Sequence, residues 1–162
     1  MPFTPYHMGA GIAIKAMSQR KFSLLIFGWA QILTDLEPLL VIITGKGTYH
    51  GYSHTYLGAA VIGIVAALTG KYLSETGLRL IGMSRYLPIR WPAAFVSAFI
   101  GTYSHVLLDS ITHVDVKPFM PFSNANTLPG LISTGAMEVF LVFCGIVGSL
   151  VLYMLREEEP KN

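Results

Sequence analysis

The chain has 162 residues, of which 52% are apolar and only 12% are charged, whereas charged residues make up about 25% of ordinary soluble domains. The net charge is only +2, and the basic residues are not interleaved with aromatic residues, which argues against a nucleic-acid-binding surface. The single cysteine, Cys144, excludes an intrachain disulfide and a cysteine-based metal site. Together with a mean hydropathy of +0.55, these features predict one membrane-embedded domain over residues 1–162.

The hydrophobic pattern predicts an all-α fold, a polytopic transmembrane helical bundle with four spans and a short N-terminal helix. In the first span, Asp35 and Glu37 interrupt the apolar run, and Pro38 should kink or end the helix. Residues 114–130 form a loop rich in proline and asparagine that could lie over a site. The N-terminal helix is predicted over about 5–18, the spans, each long enough to cross a bilayer, over about 22–44, 55–73, 92–111 and 131–155, and a polar tail over 156–162.

The distribution of lysine and arginine predicts the orientation of the chain in the membrane. If the N-terminal helix runs inward and the spans alternate, only Lys46 and Lys117 lie on one side, and the other basic residues lie on the opposite side. Since basic residues favour the cytoplasmic side, we expect a multi-pass protein of the inner membrane with an external N-terminus and a cytoplasmic C-terminus. The residues on the cytoplasmic side would be Lys15, Arg20, Lys21, Lys71, Arg79, Arg85, Arg90, Arg156 and Lys161.

Ionisable side chains inside spans are costly and therefore mark candidate functional sites. On the predicted topology, every histidine and every carboxylate in or beside an apolar segment falls in the outer half of the membrane. We expect one site on the extracytoplasmic side, built from His7, Asp35, Glu37, His50, His54, His105, Asp109, His113 and Glu138.

The spacing of these residues favours a metal site. His105 and Asp109 are four residues apart, which puts both on one helix face about 6 Å apart along the axis. His113 would lie about 12 Å from His105 on a straight helix, so it would serve a second metal or the substrate. His50 and His54 repeat the four-residue spacing. Imidazole and carboxylate ligands suit zinc, with manganese or iron as alternatives, and the excess of ligands favours two or three ions.

Several of these residues also have ordinary structural interpretations. A single intramembrane pair such as His105 and Asp109 is often only an interhelical hydrogen bond. Glu138 could be a packing residue or a proton relay, and Asp115 and Lys117 are expected to be solvated loop residues. The structural interpretation is much weaker for the whole set, because many costly groups share one place.

The ordered motifs resemble those of the YdjM-like family of inner-membrane proteins, which are described as membrane-bound metal-dependent hydrolases. The motifs are His7, Asp35-x-Glu37-Pro38, the His50 and His54 cluster, Ser104-His105-xxx-Asp109 and the Pro118-Phe-Met-Pro-Phe-Ser loop. The chain departs from the family pattern in having Glu37 as the second carboxylate of Asp-x-Asp-Pro, and in lacking the Arg-Gly pair between the two histidines. The arrangement is more remotely similar to zinc-dependent phospholipase C, which implies phosphoester chemistry. Thr134 stands where a third zinc site of that type would have a histidine.

These observations lead to the hypothesis of a membrane-embedded metal-dependent hydrolase acting on a phospholipid or a lipid-linked phosphoester. The expected metal ligands are His7, Asp35, His50, His54, His105 and Asp109, and the expected catalytic residues are Glu37, His113 and Glu138. One alternative is a metal or proton transporter, although the cytoplasmic half offers few polar residues beyond Lys15, Gln19 and Gln31. Another alternative is a non-catalytic protein with a structural metal, whose coordination would be closed.

Overall fold

The computed structural model describes residues 4–157, and within this range the chain is helical and contains no β-strand. The predicted all-α fold is therefore confirmed. Short 3-10 turns at Gln19–Lys21, Tyr52–His54 and Ser84–Tyr86 connect the longer helices. The six α-helices are α1 (Thr4–Ser18), α2 (Leu24–Thr34), α3 (Leu36–Thr44), α4 (Tyr56–Leu80), α5 (Trp91–Thr112) and α6 (Thr134–Glu157).

The length and apolar character of the helices agree with the predicted spans. α4, α5 and the Thr134–Leu155 part of α6 are each long and apolar enough to cross a membrane. α2 and α3 together make a fourth candidate span, which is bent by 40°. α1 has 15 residues and is the short N-terminal helix. Of the predicted polar tail over 156–162, the first two residues belong to α6, and residues 158–162 lie outside the described range.

The break between α2 and α3 lies at Asp35, within the segment where the sequence predicted an interruption. The backbone N–H of Asp35 donates to Gln31 O, and Asp35 O accepts from Leu39 N. Pro38, between them, has no N–H and cannot donate to Thr34 O as a continuous helix would require. The chain therefore bends at Asp35, which leaves this carboxylate at a helix junction.

α4 continues to Leu80, beyond the end predicted at residue 73. Lys71 and Glu75 are four residues apart on α4 and form a buried ion pair. Glu75 also accepts a hydrogen bond of 3.0 Å from the backbone N–H of Ile89. This pairing offsets the cost of burying the two charges and allows the helix to extend past the apolar run that marks the span.

The bundle consists of a central group of α2, α4 and α5 and a peripheral pair of α1 and α6. Alanines occupy the centre, so the three central helices approach closely, as small residues permit in membranes. α1 and α6 also meet through small residues, because a Cβ on Gly148 would lie only 2.8 Å from Ala13 Cα. The core includes Ile26, Ala30, Ala66, Ala67, Ala94 and Ala98.

The topology brings four chain segments to the same end of the bundle. These are the start of α1, the α2–α3 break, the turn before α4 and the last turns of α5. We call this the histidine end, defined by His7, His54 and His105. The opposite end, which we call the basic end, is defined by Lys15, Arg20, Arg85 and Arg90.

Candidate metal centre

His105 and Asp109 form the centre of a buried polar cluster at the histidine end. They are four residues apart on α5, and His105 Nε2 lies 3.2 Å from Asp109 Oδ2. Their side chains are almost fully removed from solvent, with residue exposures of 1% and 4%. A helix places residues at this spacing on one face, so the local sequence alone accounts for this contact.

Three further residues reach this pair from other segments. Asp35 Oδ1, at the α2–α3 break, lies 3.1 Å from His105 Nε2. His54 Nε2, from the turn before α4, lies 3.3 Å from Asp109 Oδ2 and 3.7 Å from Asp35 Oδ1. His7 Nε2, from α1, lies 3.7 Å from Asp109 Oδ1. Four separate segments of the chain therefore contribute to one cluster.

The cluster contains three groups of potential metal ligands, each with ligand atoms within 4.8 Å of one another. His54, His105 and Asp109 each belong to two of these groups. A carboxylate such as Asp109 can serve two cations, whereas the Nε2 atom of His54 or His105 can bind only one, so the three groups could not all be occupied independently. The groups are His7, His105 and Asp109; Asp35, His54 and His105; and His50, His54 and Asp109. They contain all six residues that the sequence analysis selected as ligands.

The polar atoms at the centre fit a bound cation. His54 Nε2, His105 Nε2 and Asp109 Oδ1 are buried, and although imidazole or carboxylate atoms lie 3.1–3.7 Å from them, none of these contacts has the geometry of a hydrogen bond within the described residues. A buried polar atom without a partner costs free energy, and most such atoms in folded proteins are paired. A divalent cation accepts lone pairs from imidazole nitrogen and carboxylate oxygen and would satisfy these atoms together.

Gln31 fixes the orientation of His105. Its Oε1 atom lies 2.5 Å from His105 Nδ1, and its Nε2 atom donates to Gly101 O at 3.1 Å. Because the amide oxygen only accepts hydrogen bonds, Nδ1 of His105 carries the proton in this contact. The lone pair of Nε2 is then available to the cluster, as is usual for metal-binding histidines.

His54 and His50 are held in the same way through their Nδ1 atoms. Ser53 Oγ lies 2.8 Å from His54 Nδ1, and Asp115 Oδ2 lies 2.7 Å from His50 Nδ1. Partial burial raises the pKa of Asp115, but its hydrogen bond with His50 and the nearby charges of His50 and His113 together outweigh burial, so the pKa lies below the ordinary value. Asp115 is thus a hydrogen-bonded partner of His50, and it is also exposed in the loop after α5, as the sequence predicted.

The residues predicted to be catalytic lie outside the three ligand groups. Glu37 Oε2 accepts a hydrogen bond of 2.9 Å from Ser53 N, and its carboxylate packs so closely on Gly51 that a Cβ there would meet it. His113 stacks on His50 with ring centroids 4.8 Å apart. Glu138 is partly buried on α6. Glu37 and His113 thus border the cluster, and within the described residues no hydrogen bond or ion pair links Glu138 to it.

The sequence analysis did not identify the three residues that orient the histidines: Gln31, Ser53 and Asp115. Gln31 was placed in the cytoplasmic half, whereas the structure places it against His105. One signal could have revealed it, because Gln31 precedes Asp35 by four residues and interrupts an otherwise apolar helix. Ser53 and Asp115 carry no comparable signal, since serine and aspartate are common in loops.

The comparison with known families matches almost the whole chain. A family model described as YdjM inner membrane protein matches residues 5–160, which confirms the resemblance drawn from the motifs. No curated protein and no solved structure is similar enough to this chain to match it.

Proposed function

We propose, since the chain belongs to the YdjM inner membrane protein family, that it is a membrane-embedded metal-dependent hydrolase of a phospholipid or another lipid-linked phosphoester. One observation carries the proposal. The buried atoms His54 Nε2, His105 Nε2 and Asp109 Oδ1 converge without hydrogen-bond partners among the described residues. Burying such atoms without partners is costly, and unusual burial of ionisable groups is typical of functional sites.

The residues divide into ligands, orienting residues and candidates for proton transfer. His7, Asp35, His50, His54, His105 and Asp109 would hold divalent cations, with zinc favoured by the donor set. Such ions supply Lewis acidity, which activates water and withdraws charge from a phosphoryl group. His113, stacked on His50, and Glu37, next to His54 through Ser53, are positioned to accept or return a proton. Glu138 is the weaker candidate of the three predicted catalytic residues.

A groove on the flank of the bundle supports a lipid substrate. A cavity of about 660 Å³ is lined by apolar residues of α3 and α4 and reaches Glu37 and Ser53, which border the cluster. Lys46 also lines this cavity and could pair with a phosphate. An acyl chain in the apolar part would leave the phosphoester near the histidine end. We also propose that this end faces the extracytoplasmic side and that the C-terminus is cytoplasmic, because basic residues favour the cytoplasmic side.

Transport is the alternative that the core of the bundle disfavours. Ala98 precedes His105 by seven residues on α5, or about 10 Å, and belongs to an apolar core with Ala30 and Ala66. A metal or proton path through the bundle would need ionisable groups in that region, whereas the buried polar residues next to Ala98 on α5 are Ser97 and Thr102, whose hydroxyls donate to carbonyls of their own helix. The further alternative is a purely structural metal. Its coordination would be closed by protein ligands, and the protein would not hydrolyse the lipid.

The first experiment measures metal content and hydrolysis on the same purified protein. We expect stoichiometric zinc or another divalent metal, and metal-dependent release of a phosphorylated product from vesicles of phosphatidylglycerol, phosphatidylethanolamine or phosphatidic acid. His105→Ala and Asp109→Ala should lower metal content and reduce hydrolysis at least about 100-fold, a typical loss for removal of a key catalytic interaction. Thr102→Val is the control, since Thr102 is buried on the same helix and lies outside the cluster.

Three results would overturn the proposal. Protein without bound metal would remove its basis, and unchanged metal content in His105→Ala and Asp109→Ala would exclude the cluster as the site. Metal-loaded protein that hydrolyses none of these lipids would favour a structural metal. Metal flux in proteoliposomes without hydrolysis would instead establish transport.

A further inference from the structure

The basic end of the bundle contains a second cavity, which is separate from the metal centre. Its volume is about 530 Å³, and four basic residues line it: Lys15, Arg20, Arg85 and Arg90. No acidic residue lines it, and none of the four forms an ion pair with a carboxylate within residues 4–157. Arg90 precedes His105 by 15 residues along α5, or about 22 Å. A headgroup bound among these basic residues therefore lies too far away to contact the metal centre.

Local contacts hold parts of this basic wall in place. Lys15 Nζ donates to Gln19 O at 2.7 Å and to Phe22 O at 2.8 Å, which leaves one of its three donors for a ligand. The Arg85 guanidinium lies over the ring of Tyr86, 4.8 Å from its centroid, and donates to the Tyr86 hydroxyl at 2.9 Å. α2 begins at Leu24, and both Leu24 and the preceding Ser23 line the cavity. The N-terminus of a helix favours an anion.

The floor of the cavity is apolar and leads into a groove along the outside of the bundle. Leu24 and Leu25 line both the basic cavity and a second space of about 760 Å³ between α2 and α4. This second space, which we call the flank groove, is lined mainly by apolar residues, including Met8, Trp29, Ile32 and Leu73. Ile32 and Leu73 are about half exposed, as residues facing lipid would be.

We propose that the basic cavity and the flank groove together bind one anionic phospholipid, with its phosphate among the four basic residues and an acyl chain along α2. Charge complementarity selects an anionic headgroup, because basic pockets between membrane helices bind such headgroups. Continuity with the flank groove selects a lipid over a free phosphate ion, which would gain nothing from the apolar surface. This lipid is a bound ligand of the fold and not the substrate of the metal centre, so the proposal is independent of the hydrolase proposal.

The headgroup part of the site can be tested by charge neutralisation. The double variant Arg85→Gln/Arg90→Gln removes two cations from the cavity wall. The matched control Lys21→Gln/Arg79→Gln removes two exposed cations from residues that do not line it. Binding of phosphatidylglycerol to the purified protein is measured by native mass spectrometry, with phosphatidylcholine as the neutral lipid. We expect the cavity variant to bind phosphatidylglycerol about 30-fold more weakly, at about 1 kcal/mol per cation, and the control to change little.

The acyl-chain part can be tested by filling the flank groove. Gly77 lines the groove, and a Cβ on it would have no atom within 4 Å, so Gly77→Leu adds apolar volume at a position with open space around its Cβ. Gly135→Leu is the control, since Gly135 is equally open but lies on α6. We expect only Gly77→Leu to weaken phosphatidylglycerol binding, with no loss of thermal stability in lipid-free detergent because leucine is the better helix former.

Several outcomes would contradict the proposal. Equal binding of phosphatidylcholine and phosphatidylglycerol would exclude headgroup selection. Equal losses in the cavity variant and its control would indicate general electrostatic attraction in place of a defined site. Full competition by an equal concentration of glycerol 3-phosphate would show that the cavity binds a free phosphate ester and that the groove contributes nothing.

Discussion

At the residue scale, the buried contact between Gln31 and His105 determines which imidazole nitrogen faces the cluster. Gln31 accepts from His105 Nδ1 and donates to Gly101 O, so its amide cannot turn over without losing both bonds. Both side chains are buried, with residue exposures of 0% for Gln31 and 1% for His105. Gln31 therefore fixes the orientation of His105, which the proposed metal site would use as a ligand.

Gln31→Leu should lower the affinity for the metal about 10- to 100-fold, the usual effect of losing the partner of a metal-binding histidine. Thr34→Val is the matched control, because Thr34 is buried on the same helix and its hydroxyl bonds only within that helix. The affinities are measured by competition with a chromophoric chelator. Equal affinity in wild type and Gln31→Leu would show that Gln31 does not position His105.

At the element scale, the bend between α2 and α3 controls the place of Asp35. The two helices meet at Asp35 with a bend of 40°. At this junction, Asp35 Oδ1 lies 3.1 Å from His105 Nε2, and a straight helix would change the position of this carboxylate. Pro38 excludes the hydrogen bond to Thr34 O that would stabilise the straight form. The proline thus acts on the cluster through the backbone.

Pro38→Ala should restore that backbone donor and favour a straighter helix, which moves the Asp35 carboxylate away from His105. We expect metal affinity to fall about tenfold, or roughly 1.4 kcal/mol, while the thermal stability of the metal-free protein stays equal or rises. Pro92→Ala is the control, because Pro92 lies in the first turn of α5, where its missing N–H is tolerated. A fall in metal affinity that is equal in both variants would contradict this explanation.

At the scale of the whole molecule, the pairing of α1 with α6 determines whether His7 reaches the cluster. His7 contacts Asp109 on α5, but much of the surface that holds α1 in place belongs to α6. Small residues such as Ala13 and Gly148 allow the two backbones to approach closely. The completeness of the cluster therefore depends on packing at a distance from it.

Gly148→Leu should separate α1 from α6, because its Cβ would meet the backbone of Ala13 at 2.8 Å. Overpacking of this kind costs about 1–3 kcal/mol, which we expect to see as a lower unfolding temperature in detergent together with weaker metal binding. Gly135→Leu, on the same helix but in open space, should leave both unchanged. Normal metal binding in a destabilised Gly148→Leu protein would show that His7 is not a required ligand.

The sequence by itself determined the class of the protein, the helical architecture, the family and the set of candidate ligands. Each of these follows from local properties. A span is recognised from the length of an apolar run, and the proximity of His105 to Asp109 follows from the helical repeat. Even the break in the first span could be predicted, because Pro38 lacks the backbone N–H that the interior of a continuous helix requires.

Only the tertiary structure decided which candidates meet in one cluster, which residues hydrogen-bond to its histidines and which lie outside it. Gln31 and His105 are 74 positions apart, and His50 and Asp115 are 65 apart, so no helical or turn periodicity relates them. Their contacts depend on which helix faces pack together and on where the loops return. The anionic-lipid site that we propose could not be predicted from the sequence for the same reason. Its residues come from α2, α4 and the start of α5, and only the tertiary structure brings these together.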